Sequence, residues 1–131
     1  MRNIFSGHAL VVEDNPINQL VLKAQLEILG FTVEVADNGK EALEKIEPEK
    51  YSIVFMDIQM PIMGGIECTE NIRSSFHQQI REIPIIAVTA NVTREYRDMC
   101  EEVQMNGFVT KPLNVEELVE QISLVFPAET V

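Results

Sequence analysis

The chain has 131 residues, 46% of them hydrophobic, and its 21 acidic and 10 basic side chains give a formal net charge of −11. That length supports one domain with a real core and is short for two, while the apolar content excludes a disordered chain. The negative charge argues against nucleic acid as a direct partner, because phosphate backbones attract Lys and Arg. It leaves a phosphoprotein partner open, since a bound divalent cation masks local charge.

Short apolar runs alternate with longer amphipathic stretches five times along the chain. Strands are predicted at about 8–13, 31–36, 51–56, 84–89 and 107–110, and helices at about 16–29, 38–47, 64–75, 93–103 and 114–126. Alternating units of this kind imply an α/β fold, with a parallel sheet and helices on both faces. Right-handed crossovers restrict the topology further. The strand segments are apolar and β-branched rather than alternating, as strands covered on both faces are.

The first strand ends in Glu13-Asp14, and Pro16 then suits the first turn of a helix that Gly30 closes. This first helix carries two apolar stripes: Ile17, Leu20, Ala24 and Ile28 on one face, with Val21 adjoining, and Leu22, Leu26 and Leu29 on another. A helix packed on a sheet needs one stripe, so the second is covered by a neighbour or offered to a partner. Asn38 with Glu41 makes a capping-box pattern, and Pro48 stops the second helix. Gly64-Gly65 opens the third helix, and Asn114 caps the last. The compact region is expected at about 8–126 within a single unit 1–131, with 127–131 a frayed tail. Cys68 and Cys100 show no metal-ligand spacing and read as reduced thiols of a cytosolic protein. No apolar run approaches a membrane span, and no charged-then-apolar leader marks export.

Three strand ends carry chemistry. Asp57 follows Ile53-Val54-Phe55-Met56, Glu13-Asp14 follows Ala9-Leu10-Val11-Val12, and Lys111 follows Phe108-Val109-Thr110. In a parallel sheet these ends share one edge, where ligands of open α/β folds bind. Converging carboxylates suit Mg²⁺, a hard cation that takes few protein ligands. A carboxylate is also a nucleophile toward phosphorus, which makes Asp57 a candidate for acyl-phosphate formation. Two neighbouring acids would repel the incoming phosphate, and a metal ion between them removes that obstacle. Lys111 can pair with phosphoryl oxygens, and Thr89, ending Ile85-Ile86-Ala87-Val88-Thr89, can bond one. A lone strand-end acid, lysine or threonine is ordinarily only a cap, a surface charge or a β-former; the combination is what points to a site. Phe108 also reads as plain core. His8 and His77 read as non-catalytic, and the absence of a Walker sequence excludes a P-loop nucleotide binder.

The stretches Val12-Glu13-Asp14-Asn15-Pro16, Met56-Asp57-Ile58-Gln59-Met60-Pro61, Ala87-Val88-Thr89-Ala90 and Thr110-Lys111-Pro112 together resemble a response-regulator receiver domain. Glu13-Asp14-Asn15-Pro16-Ile17-Asn18-Gln19 and Met105-Asn106-Gly107-Phe108 are similar to receivers attached to hybrid sensor histidine kinases. The resemblance implies a doubly wound, flavodoxin-like five-stranded sheet in the order 2-1-3-4-5 with five helices. It implies Asp57 as phosphoacceptor and Mg²⁺ held by Glu13, Asp14, Asp57 and the backbone carbonyl of Gln59. Lys111 matches the phosphate-pairing lysine, before a bond to Pro112 that the family usually has in cis. Thr89 and Phe108 match the switch pair, and Gln59 and Asn91 match positions that tune hydrolysis of the aspartyl phosphate. The expected activity is that of a signalling phosphoacceptor in a two-component phosphorelay, promoting its own phosphorylation and dephosphorylation, rather than of an enzyme with turnover.

The expected donor is a phosphohistidine on a histidine kinase or histidine phosphotransfer domain, with self-association left open. The location expected is cytoplasmic, either free or as the cytoplasmic part of a membrane-bound sensor kinase. The family match places Val21, Leu22, Leu26 and Leu29 of the first helix inward, leaving Ile17, Leu20, Ala24 and Ile28 outward as docking residues beside the site. Three departures stand out: Gly64 for the usual Asp, Gln104 for a helix-ending Gly, and Phe108 for a tyrosine that could hydrogen-bond. Two rival readings are weaker. A haloacid-dehalogenase-type phosphatase expects its nucleophile on the first strand and a second acid two residues later, where this chain has Gln59. A phosphorylation-independent pseudo-receiver would not need the intact acid set.

Overall fold

The computed structural model describes residues 4–126, so the tail expected at 127–131 lies outside the described residues. The strands are β1 Gly7–Val12, β2 Phe31–Ala36, β3 Ile53–Asp57, β4 Ile85–Thr89 and β5 Gly107–Thr110. The helices are α1 Pro16–Leu29, α2 Gly39–Lys45, α3 Gly65–Arg73, α4 Gln78–Arg81, α5 Arg94–Glu102 and α6 Val115–Val125. All strand pairs are parallel, in the order β2-β1-β3-β4-β5, as expected. The five helices expected are corrected to six among the described residues: α4, a single turn, is the addition. Its segment is polar, with Ile80 its one apolar residue, so no helical period shows in the sequence.

Successive strand residues point to opposite faces. Ala9, Val11, Ile53 and Phe55 therefore pack with Leu22, Leu26 and Leu29 of α1 and Leu118 and Ile122 of α6. Leu10, Val12, Val54 and Met56 pack with Ala42 of α2 and Cys68 and Ile72 of α3. Both cysteines are free and buried, and burial raises their thiols to about 12 at Cys68 and about 11 at Cys100.

The helix ends follow from local chemistry. Asn15 Oδ1 accepts from the Ile17 and Asn18 amides at 2.9 and 3.1 Å, and Gly30 closes α1 at φ 118°. Asn38 caps α2 through the Glu41 amide, and Asn114 caps α6 through the Glu117 amide. Gly64 precedes α3 with no side-chain cap. Gln104 does adopt the left-handed conformation, at φ 66°. Its carbonyl accepts two hydrogen bonds from the Arg73 guanidinium, at 3.1 and 2.8 Å, which hold the turn. The same guanidinium donates to the carbonyls of Arg81 and Ile83 and to Asn106 Oδ1, tying α3, α4 and the approach to β5 together. At the β5 edge, the Phe108 and Thr110 amides donate to Gln121 and Glu117 of α6, so these edge donors are satisfied within the chain.

Candidate functional site

The parallel order brings the C-terminal ends of β1, β3, β4 and β5 to one edge. The pairings Val12 with Met56, Asp57 with Val88 and Thr89 with Thr110 make those ends level. Asp57 is the last residue of β3 and Thr89 the last of β4, while Glu13 and Lys111 immediately follow β1 and β5. Backbone crowding explains Gly65: a Cβ there would stand 2.2 Å from the Asp57 carbonyl oxygen. Only glycine lets α3 start so close behind the Asp57 strand.

The four groups expected to converge do so. Carboxylate oxygens of Glu13, Asp14 and Asp57 all lie within 4.8 Å of one another. Lys111 Nζ donates to Glu13 Oε1 at 2.7 Å and to Asp57 Oδ2 at 3.2 Å. Glu13 and Asp57 are buried at 4% and 5% exposure, so the pairing takes place largely out of water. Burial alone would lower the Lys111 ammonium; the hydrogen bond to Glu13 and the charges of Asp57 and Glu13 outweigh it, and its proton is held more tightly than usual. Asp14, at the exposed mouth, is raised by partial desolvation and then by the Glu13 carboxylate beside it. Three carboxylates against one ammonium leave the cluster short of positive charge. Hard oxygen donors so crowded fit a divalent cation such as Mg²⁺.

Around this centre, the Gln59 amide donates to Asp57 Oδ1 at 3.2 Å, and Thr89 is buried with its Oγ1 accepting from the Asn91 amide at 3.0 Å. Phe108 is half-buried against Ile58, Ala87 and Cys100, with the Arg97 guanidinium 4.8 Å from its ring centroid. The Lys111–Pro112 bond is cis. Two further side chains beside the site make contacts that sequence spacing does not reveal. Gln19 donates to the Glu13 carbonyl and to Asp37, and Tyr96 accepts from the Gln59 side chain at 2.9 Å. Gln19 ends the stretch Glu13–Gln19 that carries the family resemblance, with no role assigned to it there, and Tyr96 belongs to no strand-end motif. His8 and His77 lie elsewhere, His8 against Thr32 and Tyr51, and His77 as the residue before α4.

On α1, Ile17, Leu20 and Ile28 are exposed at 72%, 68% and 56%, and Ala24 is exposed with them, whereas Leu22, Leu26 and Leu29 are buried. The inward placement of Val21 is corrected: it is 44% exposed. It lines a cleft of about 210 Å³ between α1 and the turn at Pro112-Leu113. No helix among the described residues is long and apolar enough to cross a membrane.

The family model described as "Response regulator receiver domain" matches residues 9–123. The chain is 40% identical over 120 residues to the hybrid signal transduction histidine kinase K of Dictyostelium discoideum, a match covering 88% of this chain and 10% of that protein. The chain thus spans a small part of the kinases it resembles. Among solved structures, it is similar to the receiver domain of the sensor histidine kinase PA1611 from Pseudomonas aeruginosa PAO1, described with a magnesium ion coordinated in the active-site cleft. That similarity has a TM-score of 0.81 at 34% identity, covering 92% of this chain and 97% of that one. It is also similar to a chain in the co-crystal structure of the Saccharomyces cerevisiae histidine phosphotransfer protein Ypd1 and the receiver domain of its downstream response regulator Ssk1. There the TM-score is 0.80 at 29% identity, covering 93% and 90% of the two chains.

Proposed function

The chain belongs to the response regulator receiver domain family, and from that premise we propose that it accepts a phosphoryl group on Asp57 from a phosphohistidine of a histidine kinase or histidine phosphotransfer domain. The observation that carries the reading is the placement of Asp57 between Lys111 and the Glu13–Asp14 pair. A carboxylate oxygen of Asp57 attacks phosphorus, the P–N bond breaks, and its electron pair returns to the imidazole nitrogen. The product is an acyl phosphate. Lys111 turns from Asp57 toward the incoming phosphoryl oxygens, and the buried Thr89 hydroxyl bonds one of them. Glu13, Asp14, Asp57 and the Gln59 carbonyl would hold Mg²⁺, which when bound supplies charge neutralisation for the transferred group. Asn91 and Gln59 flank the path of water to the product, and Phe108 answers movement of Thr89 by rotating.

The donor docks on the exposed stripe of α1, with Ile17, Leu20 and Ala24 entering the groove between two helices of the phosphotransfer bundle. The solved pairing of Ypd1 with the Ssk1 receiver supports a partner of this class. The test is transfer from a phosphorylated histidine phosphotransfer protein, with the bond identified by its lability to hydroxylamine. Label on this chain that resists hydroxylamine would overturn an acyl phosphate. The double variant Ile17→Ser with Leu20→Ser separates docking from chemistry. Transfer from the protein donor should slow roughly tenfold, a change of about 1.4 kcal/mol. Uptake from acetyl phosphate and the melting temperature should stay unchanged, because exposed side chains contribute little to stability. Unimpaired transfer from the protein donor would remove the stripe from the docking site.

A further inference from the structure

Beyond the residues that face phosphorus directly, one contact joins two separate walls of the cleft. Gln59, on the loop after β3, donates from Nε2 to the Tyr96 hydroxyl in the first turn of α5, at 2.9 Å. Strands β3 and β4 are neighbours in the sheet, and Asp57 and Thr89 end them. A bond from the Asp57 loop to the helix that follows Thr89 therefore spans the mouth between these two residues.

It also closes a circuit. The Gln59 amide donates to Asp57 Oδ1, and the Gln59 side chain donates to Tyr96. The Tyr96 amide donates to Thr93 Oγ1, the Thr93 amide donates to Asn91 Oδ1, and the Asn91 amide donates to Thr89 Oγ1. The links run from 2.9 to 3.4 Å, the Tyr96 amide to Thr93 being the longest, and together they lead from Asp57 around the cleft to Thr89. The Tyr96 ring is half-buried in the cluster holding Ile58, Ala87 and Phe108, so its hydroxyl is presented from a packed base. Phe108 has no hydroxyl, and the phenol that reaches this site comes from α5 instead.

We infer that Tyr96 is a positioning residue: its hydroxyl holds the Gln59 amide across the cleft mouth and thereby slows hydrolysis of the aspartyl phosphate. Hydrolysis requires a water oxygen to attack phosphorus opposite the Asp57 oxygen. The P–O bond to Asp57 breaks, its electron pair returns to the carboxylate, and the water's protons pass to bulk solvent and the released phosphate. A tethered Gln59 side chain narrows that approach, whereas a free one swings in solvent and opens it. The inference rests on Asp57 being the phosphoacceptor.

Tyr96→Phe removes one oxygen and leaves the ring packed. The protein would be loaded with acetyl phosphate and Mg²⁺, the donor removed, and loss of the phosphoryl group followed by intact mass. The expected lifetime of Tyr96→Phe is roughly three- to tenfold shorter than wild type, the range one hydrogen bond controls. Gln59→Ala, which keeps the backbone carbonyl, should shorten it as much, and the double variant no further, with melting temperatures close to wild type throughout. A lifetime in Tyr96→Phe that is unchanged or longer would overturn the inference, as would additive effects in the double variant. Wild-type protein that takes up no phosphoryl group would overturn the functional reading and this inference with it. Uptake with an unaltered lifetime in the variant would overturn the inference alone.

Discussion

Two clusters in this molecule are built from the same chemistry, carboxylate and lysine, and they behave oppositely. Around Glu34 of β2, the carboxylate accepts a hydrogen bond from Tyr51 and faces Lys50 and His8, each 3.8 Å away. The Tyr51 hydroxyl, first, and then the Lys50 charge outweigh desolvation and hold the Glu34 carboxyl below its usual range. Its negative charge is already matched by its neighbours. At the other cluster, Glu13, Asp14 and Asp57 share a single ammonium, and Asp14 is raised instead of lowered. A cluster whose members satisfy one another stabilises the fold and has little left to offer. One that crowds like charges together is held there by the rest of the fold, and its unmet charge is what a cation and a phosphoryl group can use.

Removing the shared ammonium should have the largest effect. Lys111→Ala leaves Glu13 and Asp57 buried beside each other without a counter-charge, which costs about 3 kcal/mol in the absence of metal. Chemical denaturation with and without Mg²⁺ checks this, and the deficit should shrink when Mg²⁺ is present. A variant as stable as wild type without metal would mean the site is no less balanced than the Glu34 cluster.

Next comes the metal response. Mg²⁺ at roughly one hundred times its dissociation constant should stabilise the wild type by about 2.7 kcal/mol. Asp14→Ala should lose that response and melt slightly higher than wild type without metal, because an ionised Asp14 opposes folding. Thermal melts across a Mg²⁺ series decide it. A wild type whose melting point ignores Mg²⁺ contradicts the reading.

The smallest effect belongs to the balanced cluster. Tyr51→Phe should cost about 1 kcal/mol and leave phosphoryl uptake unchanged. Since Glu34 is lowered in the fold, its contribution is present above the unfolded glutamate value of about 4.3 and is lost as pH falls through the lower folded value. The stability gap between wild type and Tyr51→Phe should therefore close on acidification. A gap independent of pH would mean that the hydroxyl does not act through the Glu34 carboxylate.

What is legible in the amino-acid sequence is whatever has a short-range signature. Apolar runs located all five strands, and chemistry at strand ends located Glu13, Asp14, Asp57, Thr89 and Lys111 together, because a parallel sheet puts those ends on one edge. The phase of α1 was legible for Ile17, Leu20 and Leu22 but not for Val21, which lies at the border of the two stripes, where helical spacing leaves the direction open. The single turn α4 has no apolar period to reveal it. Arg73 and Tyr96 were invisible for another reason: their partners are brought to them by the fold. Arg73 reaches Gln104 across 31 positions and Tyr96 reaches Gln59 across 37. The cleft's chemistry was thus in the motifs, while the contacts that shape its walls depend on tertiary structure.

The most direct test of Asp57 as phosphoacceptor is the intact mass of the protein after incubation with acetyl phosphate, measured for wild type and Asp57→Asn, each with Mg²⁺ and with the metal chelated. One phosphoryl group should appear on the wild type with Mg²⁺, very little when the metal is chelated, and none on Asp57→Asn under either condition. An undiminished mass gain in Asp57→Asn would contradict the assignment, because the phosphoryl group would then reside on another residue.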